Sequence, residues 1–333
     1  MSLQTNMTNY GQRKATDRLL RGCALGATLL AIIPLFLIIG YVAVIGGSSL
    51  NLAFFTETYK PPVAVDVSSE GLDPATGLPL DFVLPGEEGA DPTATDTTVA
   101  APAAEELNIE ARGGVLHGII GTLMITALAL LFSLPIGIMA GVFLSEYPSN
   151  PVATVVRFCS DVLSGAPSIV VGVVGFVLIV RRFESYSGVA GAIALTFLMV
   201  PTITRTTEEI LKLVPNITRE AAMAMGAPTW YATFTVIIPT ALSGIVTGAL
   251  LAFARGAGET APLLLTISGN SNLSFDLLQP MAALPLLTYK YIESPFPAEN
   301  QLAWGTAFVL MMLVLSVNLL VRVTTARIRA GGR

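Results

Sequence analysis

Between Leu19 and Ile45 this chain carries one charged residue, Arg21, and from Gly114 to Leu144 it carries no acidic or basic side chain except His117. At 1.5 Å of rise per residue, about 20 such residues in a helix cross a hydrocarbon layer about 30 Å thick. Further apolar runs follow at about 158–180, 188–204, 231–254 and 304–321. With 53% apolar and 12% charged residues and a mean hydropathy of +0.70, these runs read as membrane spans rather than as the core of a soluble domain. A membrane β-barrel would show alternating segments of about ten residues instead. The expected fold is an all-α integral membrane protein with six transmembrane helices. Pro135 and Gly137 interrupt the second span, which neighbouring helices can accommodate.

Orientation follows from the basic residues flanking the spans. Arg13, Lys14, Arg18 and Arg21 lie before or at the start of the first span. Arg205, Lys212 and Arg219 sit in or beside the loop after the fourth, and Arg322, Arg327, Arg329 and Arg333 follow the sixth. Six crossings place all three groups on one side, the cytoplasmic one, so both termini are cytoplasmic. The first span is too long for a cleaved signal and reads as a retained signal anchor. Residues 1–18 form a polar tail expected to lack structure, and 19–333 form the transmembrane domain. Residues 48–112, rich in Pro, Gly and acidic side chains, are an outer loop with too few large apolar residues to fold alone. Arg181 and Arg182 fall on the outer side, either as snorkelling side chains or as a basic patch. Cys23 and Cys159 show neither metal nor disulfide spacing. Gly137 with Gly141, and Gly244 with Gly248, have the small-residue spacing of close helix contacts.

The most specific signal is the stretch 213–239. Pro215 and Asn216 open a short helix that contains Glu220, Ala221, Ala222 and Met225. Gly226 suits a left-handed helix end, and Pro228 prevents continuation. Taken alone, this is either a connecting helix or a helix that docks on another subunit.

Three charged or polar features remain. Arg255 lies 16 residues beyond Pro239, roughly 24 Å along a helix. Glu259 is four residues further, hence on the same helical face and able to pair, and Thr260 follows. A charge at that depth costs about 2.5–3.5 kcal/mol on insertion scales, so such residues face a partner or a water-filled path. The pair is either a structural lock or part of an anion route. Arg205 with Glu208 and Glu209, at the inner end of the fourth span, allows the same two readings. Ser168, in the Gly165-Ala166-Pro167-Ser168 turn, is either a helix cap or a source of free N–H groups for an anion. His117 reads as an interfacial polar group.

Glu220-Ala221-Ala222, then Gly226, then Val236, Ile238 and Pro239, resembles the EAA signature of ABC-type importer permeases, with Val236 and Ile238 as conservative departures. In that family the helix seats in a cytoplasmic ATPase. The wider pattern is similar to the PstA family of phosphate-specific ABC permeases over about 110–323. It is carried by PIGIMAGVFLSEY, GAPSIVVGVVGF, VPTITRTTEEILKLVP, ARGAGETAPLLLT and PMAALPLLTYKY. The resemblance implies a type I importer fold and a bacterial inner-membrane location. It also implies a non-catalytic role in phosphate import, with no cofactor. Implied partners are a second permease (PstC-like), an ATPase dimer (PstB-like), an extracytoplasmic phosphate-binding protein (PstS-like) and membrane lipids, with no nucleic acid. Arg205 with Glu208 or Glu209, and Arg255 with Glu259, fall on the motifs linked to phosphate passage. Glu220, Ala221, Ala222, Met225 and Gly226 fall on the coupling helix, expected over 213–230. The outer insertion 48–112 departs from the compact family pattern. Another oxyanion or an amino acid is the alternative cargo. An intramembrane enzyme is disfavoured by the single histidine and by the absence of HExxH and GxSxG. The coupling pattern disfavours a passive channel. The chain has no GxxxxGK[ST] element of its own for ATP.

Overall fold

A computed structural model describes residues 10–60 and 113–331. Among these residues the chain is helical, with only isolated bridges at Tyr59–Gly113 and Ser268–Met281. In chain order the helices are α1 (Tyr10–Ser48), α2 (Leu52–Thr56), α3 (Leu116–Glu146), α4 (Pro151–Gly165), α5 (Ser168–Gly175) and α6 (Arg181–Phe183). They continue with α7 (Gly188–Lys212), α8 (Asn216–Ala224), α9 (Thr229–Ala232), α10 (Ile238–Gly258), α11 (Ala261–Thr266), α12 (Leu284–Ile292) and α13 (Pro297–Gly331). π-helical turns at Phe176–Val180 and Thr233–Ile237 join α5 to α6 and α9 to α10.

Five helical stretches are long and apolar enough to cross a membrane: Lys14–Ser48, Leu116–Glu146, Gly188–Lys212, Thr229–Gly258 and Pro297–Leu320. The expected third span differs. It is a pair, Pro151–Gly165 and Ser168–Phe183, bent by 103°. The bend has a local cause: the residue before a proline is driven out of the α region. Ala166 (ψ 137°) and Pro167 (ψ 132°) are both extended, so the chain turns a corner between α4 and α5. Counted as one span, the pair completes six crossings and brings both chain ends to the same side. The first helix also begins earlier than expected, at Tyr10, so the polar segment 10–18 continues the span.

α7 is the centre of the bundle: 61% of its apolar stretch is buried, against 6% for α1. In lipid, helices gain nothing from hiding apolar surface from one another. They associate where small residues let backbones approach. Both glycine pairs meet α7. On α3, a Cβ at Gly137 would stand 2.7 Å from the Ile203 side chain, and one at Gly141 would stand 2.6 Å from Thr207. On α10, Cβ atoms at Gly244 and Gly248 would stand 2.5 Å from Ile210 and 2.3 Å from Thr206. The matched positions show that α3 runs parallel to α7 and α10 antiparallel to it. Ile125, Leu195, Met199 and Ile203, all fully buried, fill the core around this contact.

The outer end is closed by short elements. Thr122 accepts a hydrogen bond from the Leu284 N–H (2.8 Å), fixing α12 on α3, and Gly172 lets α5 approach Pro262 of α11. The beginning of the outer loop is ordered, contrary to its composition: α2 is capped by Asn51 and buries Phe54. Tyr59 pairs with Gly113, stacks on Tyr291 at 5.6 Å and donates to Glu299 at 2.5 Å. Burial, with Glu299 adding to it, pushes the Tyr59 phenol pKa up, so it remains a donor through the physiological range. The two stems of the outer loop are thus pinned side by side. The expectation that the loop is extended falls mainly on 61–112, outside the described residues.

Gly141→Leu should sharply reduce the folded protein recovered from membranes, whereas Gly26→Ala, on α1 with no neighbour within 4 Å, should leave recovery unchanged. Quantitative immunoblotting and size-exclusion profiles check both. Replacing 61–112 by a short Gly/Ser linker should leave the profile intact, because residues 60 and 113 already meet.

Candidate functional site

Two charged clusters meet α7. In the first, Arg255 in the last turn of α10 donates from Nη1 to Thr202 Oγ1 of α7 at 3.4 Å. Its Nε lies 3.6 Å from Glu259 Oε1. The pairing expected from the four-residue spacing is present, but the shared helical face is not. Glu259 is extended (φ −76°, ψ 127°), just beyond the end of α10, so the carboxylate reaches back from a chain break. Neither distance is that of a tight ion pair, and Arg255 is 38% exposed. Thr260 is the N-cap residue of α11 and lines an open, mainly apolar groove with Gly258, Pro285 and Thr288.

The second cluster joins α7 to α4. Glu208, 1% exposed, accepts from Arg157 Nε at 2.8 Å and from Lys212 Nζ at 2.6 Å, and Arg205 Nη1 stands 3.6 Å away. Arg157 also donates to the carbonyls of Leu144 (2.9 Å) and Pro148 (3.3 Å), so it fastens the middle of α4 to the end of α3 and the turn that follows it. Arg205 turns its other edge to Asp161 of α4: Nε donates to Oδ1 at 3.0 Å, and Nη2 donates to the same oxygen. Three cations thus surround two carboxylates, leaving one positive charge in excess. Glu209 is exposed and makes no ion pair among the described residues, so the expected Arg205 cluster keeps Glu208 and loses Glu209.

The two clusters are closer than the sequence suggested. Thr202, which meets Arg255, and Arg205 are three residues apart on α7, about 4.5 Å of helical rise. Ser168 begins α5 at the corner and makes no side-chain hydrogen bond to either cluster. Sequence reasoning missed Arg157, because the expected third span began at Phe158, and passed over Asp161, which lies inside that expected span. The signal was amphipathicity: Val152, Val155, Phe158 and Val162 recur at helical spacing and are exposed, while Arg157 and Asp161 turn to α7. His117, expected at an interface, is instead buried, and neither ring nitrogen has a hydrogen-bond partner.

α8 stands below both clusters. It starts after Pro215 and ends at Gly226, whose φ of +87° requires glycine although a Cβ would meet open space. Its inner side is held by Arg219, which pairs with Glu146 at the end of α3 and donates to the Leu211 carbonyl of α7 at 3.2 Å. Its outer side presents Ile217, Glu220, Ala221 and Met225, the last 88% exposed. Ala222 is half-buried.

Residues 133–330 match the family of binding-protein-dependent transport system inner membrane components. The phosphate transport system permease protein PstA of Yersinia pestis is 45% identical over 218 residues, 65% of this chain and 74% of that protein. The PstA of Haemophilus influenzae is 42% identical over 226 residues, 68% of this chain and 78% of its own length. The chain belongs to the PstA group of binding-protein-dependent inner membrane permeases. The PstA-type permease also shares its fold with a solved chain of the inward-facing MetNI methionine ABC transporter. That similarity has a TM-score of 0.51 at 22% identity, over 65% of this chain and 95% of the other. As a permease of this class it is a non-catalytic, multi-pass membrane subunit that works with other ABC transporter components.

Removing one partner of a buried ion pair costs up to about 3–5 kcal/mol when the other charge is left unpaired. Arg157→Ala leaves Glu208 with Lys212 and the more distant Arg205, so it should lower the thermal stability of the purified permease by less than that. Adding Glu208→Gln should recover much of the loss. Thermal unfolding of the two variants side by side checks this.

Proposed function

We propose that this chain forms half of the translocation pathway of an ATP-driven inorganic phosphate importer. A PstC-like permease would supply the other half, and a PstS-like binding protein would deliver phosphate from outside. A PstB-like ATPase pair would dock on the outer side of α8. In domain terms, 19–333 is the transmembrane unit, 48–112 its outer loop and 213–230 its coupling segment.

The observation that carries the reading is the placement of Arg255 and Arg205 within about one turn of each other along α7, in a chain 45% identical to a phosphate permease. Guanidinium is planar, permanently charged and suited to bind two oxygens of an oxyanion side by side. Arg255 is held loosely by Thr202 and Glu259 and is partly exposed, so an arriving anion can compete for it. A pathway also needs weak sites, since tight binding would stop flux. Arginines already paired with carboxylates meet that need, because the phosphate must compete for them.

Coupling follows from the other end of the same helices. Arg219 ties α8 to the ends of α3 and α7, so a pull on the exposed side of α8 moves the two helices whose contact positions the charged clusters.

Arg255→Ala should abolish phosphate uptake while the assembled transporter is still recovered. Radiolabelled phosphate uptake, with sulfate, arsenate and methionine as competitors, checks this, and normal uptake by the variant would remove Arg255 from the pathway. Gly226→Val forces a β-branched residue to positive φ and should lower ATP-driven uptake several-fold, measured against ATPase copurification.

A further inference from the structure

Arg205 is already occupied. Its Nε–Nη2 edge, the edge that a phosphate would take, is filled by one oxygen of Asp161. Resting on the reading of Arg205 as an anion contact, we propose that Asp161 is a resident counter-anion. It yields Arg205 to arriving phosphate and retakes it to drive release to the cytoplasm, with α4 as the moving part.

Glu208 cannot serve in this way. It is 1% exposed, committed to Arg157 and Lys212, and rides on the same helix as Arg205, so it keeps its place whenever α7 moves. Asp161 differs in each respect. It is 52% exposed, it belongs to a separate helix, and Arg205 is its only ion-pair partner among the described residues.

α4 is also held more firmly at its middle than at its last turn. Arg157 holds it through Glu208 and the carbonyls of Leu144 and Pro148. Asp161 lies one turn further on, and Gly165 lies one turn beyond that, where an added Cβ would meet nothing within 4 Å. The extended Ala166–Pro167 corner follows, so the bundle does not clamp the chain at this joint. A small rotation there withdraws Asp161 from Arg205 and leaves the Arg157 anchor in place. The exchange conserves charge at Arg205: one anion enters as the other leaves, and the guanidinium is never left alone in a low-dielectric path.

The test uses the complete transporter, with its second permease and ATPase, purified and reconstituted in lipid vesicles. If Asp161 holds Arg205 about nine-tenths of the time, Asp161→Asn should bind phosphate roughly tenfold more tightly in equilibrium dialysis, since apparent affinity scales with the fraction of competent site. Uptake by that variant should be inhibited by correspondingly lower phosphate on the cytoplasmic side, and Asp161→Glu should restore most of the wild-type behaviour. Arg205→Ala should lose the retained phosphate, alone or combined with Asp161→Asn. Unchanged retention in Asp161→Asn, alongside lost retention in Arg205→Ala, would overturn the counter-anion role while leaving Arg205 as an anion contact. Normal retention and uptake in Arg205→Ala would overturn that contact itself, and the exchange with it. If Asp161→Asn and Asp161→Ser both fail to assemble while Arg205→Lys assembles, the pair is structural and the proposal fails.

Discussion

The close approach of α7 to its neighbours is the constraint on which the structure depends. A side chain at any of Gly137, Gly141, Gly244 or Gly248 would collide with α7, so α3 and α10 reach it only because those positions lack a Cβ. Hydrocarbon supplies no hydrophobic force to compensate for a looser fit. The contact sets depth as well as distance: it matches Thr206 with Gly248 and Met199 with Gly256, which brings Arg255 opposite Thr202. The register of two uncharged helix faces thus decides where a charge lies in the membrane.

Charge is distributed by the same logic. Glu208 is fully enclosed and has two close cationic partners, as a buried carboxylate must if it is to remain ionised. Arg255 and Asp161 are more exposed and less fully paired, so each can change partner more readily than Glu208. The enclosed pair fixes α4 to α7, and the exposed pairs are available for exchange. A pathway that binds and releases an anion in each cycle needs both kinds, arranged so that the second can break without the first.

Much of this was legible in the residues. The apolar runs, the basic flanks, both glycine pairs and the short helix ending at Gly226 follow from spacing and from the behaviour of glycine, proline and charge in a bilayer. The corner in the third span was less visible, although Ala166-Pro167 carries its cause. Hydropathy averages over a window and treats two short helices at 103° as one long one. Placing the start of that span at Phe158 set Arg157 outside it and hid the amphipathic face that carries Arg157 and Asp161.

The sequence by itself determined the class of molecule, its long apolar spans and the short helix that ends at Gly226. These depend on local composition and on short spacings that no partner can alter. Only the tertiary structure decided which charges meet. Arg205 takes Asp161, 44 residues away, in preference to Glu209, four residues away, and Glu208 takes Arg157, 51 residues away. A helix offers each side chain several neighbours at similar spacing, and the choice among them depends on which face packing turns inward. For Glu208 that face is buried against α4, and for Glu209 it is open.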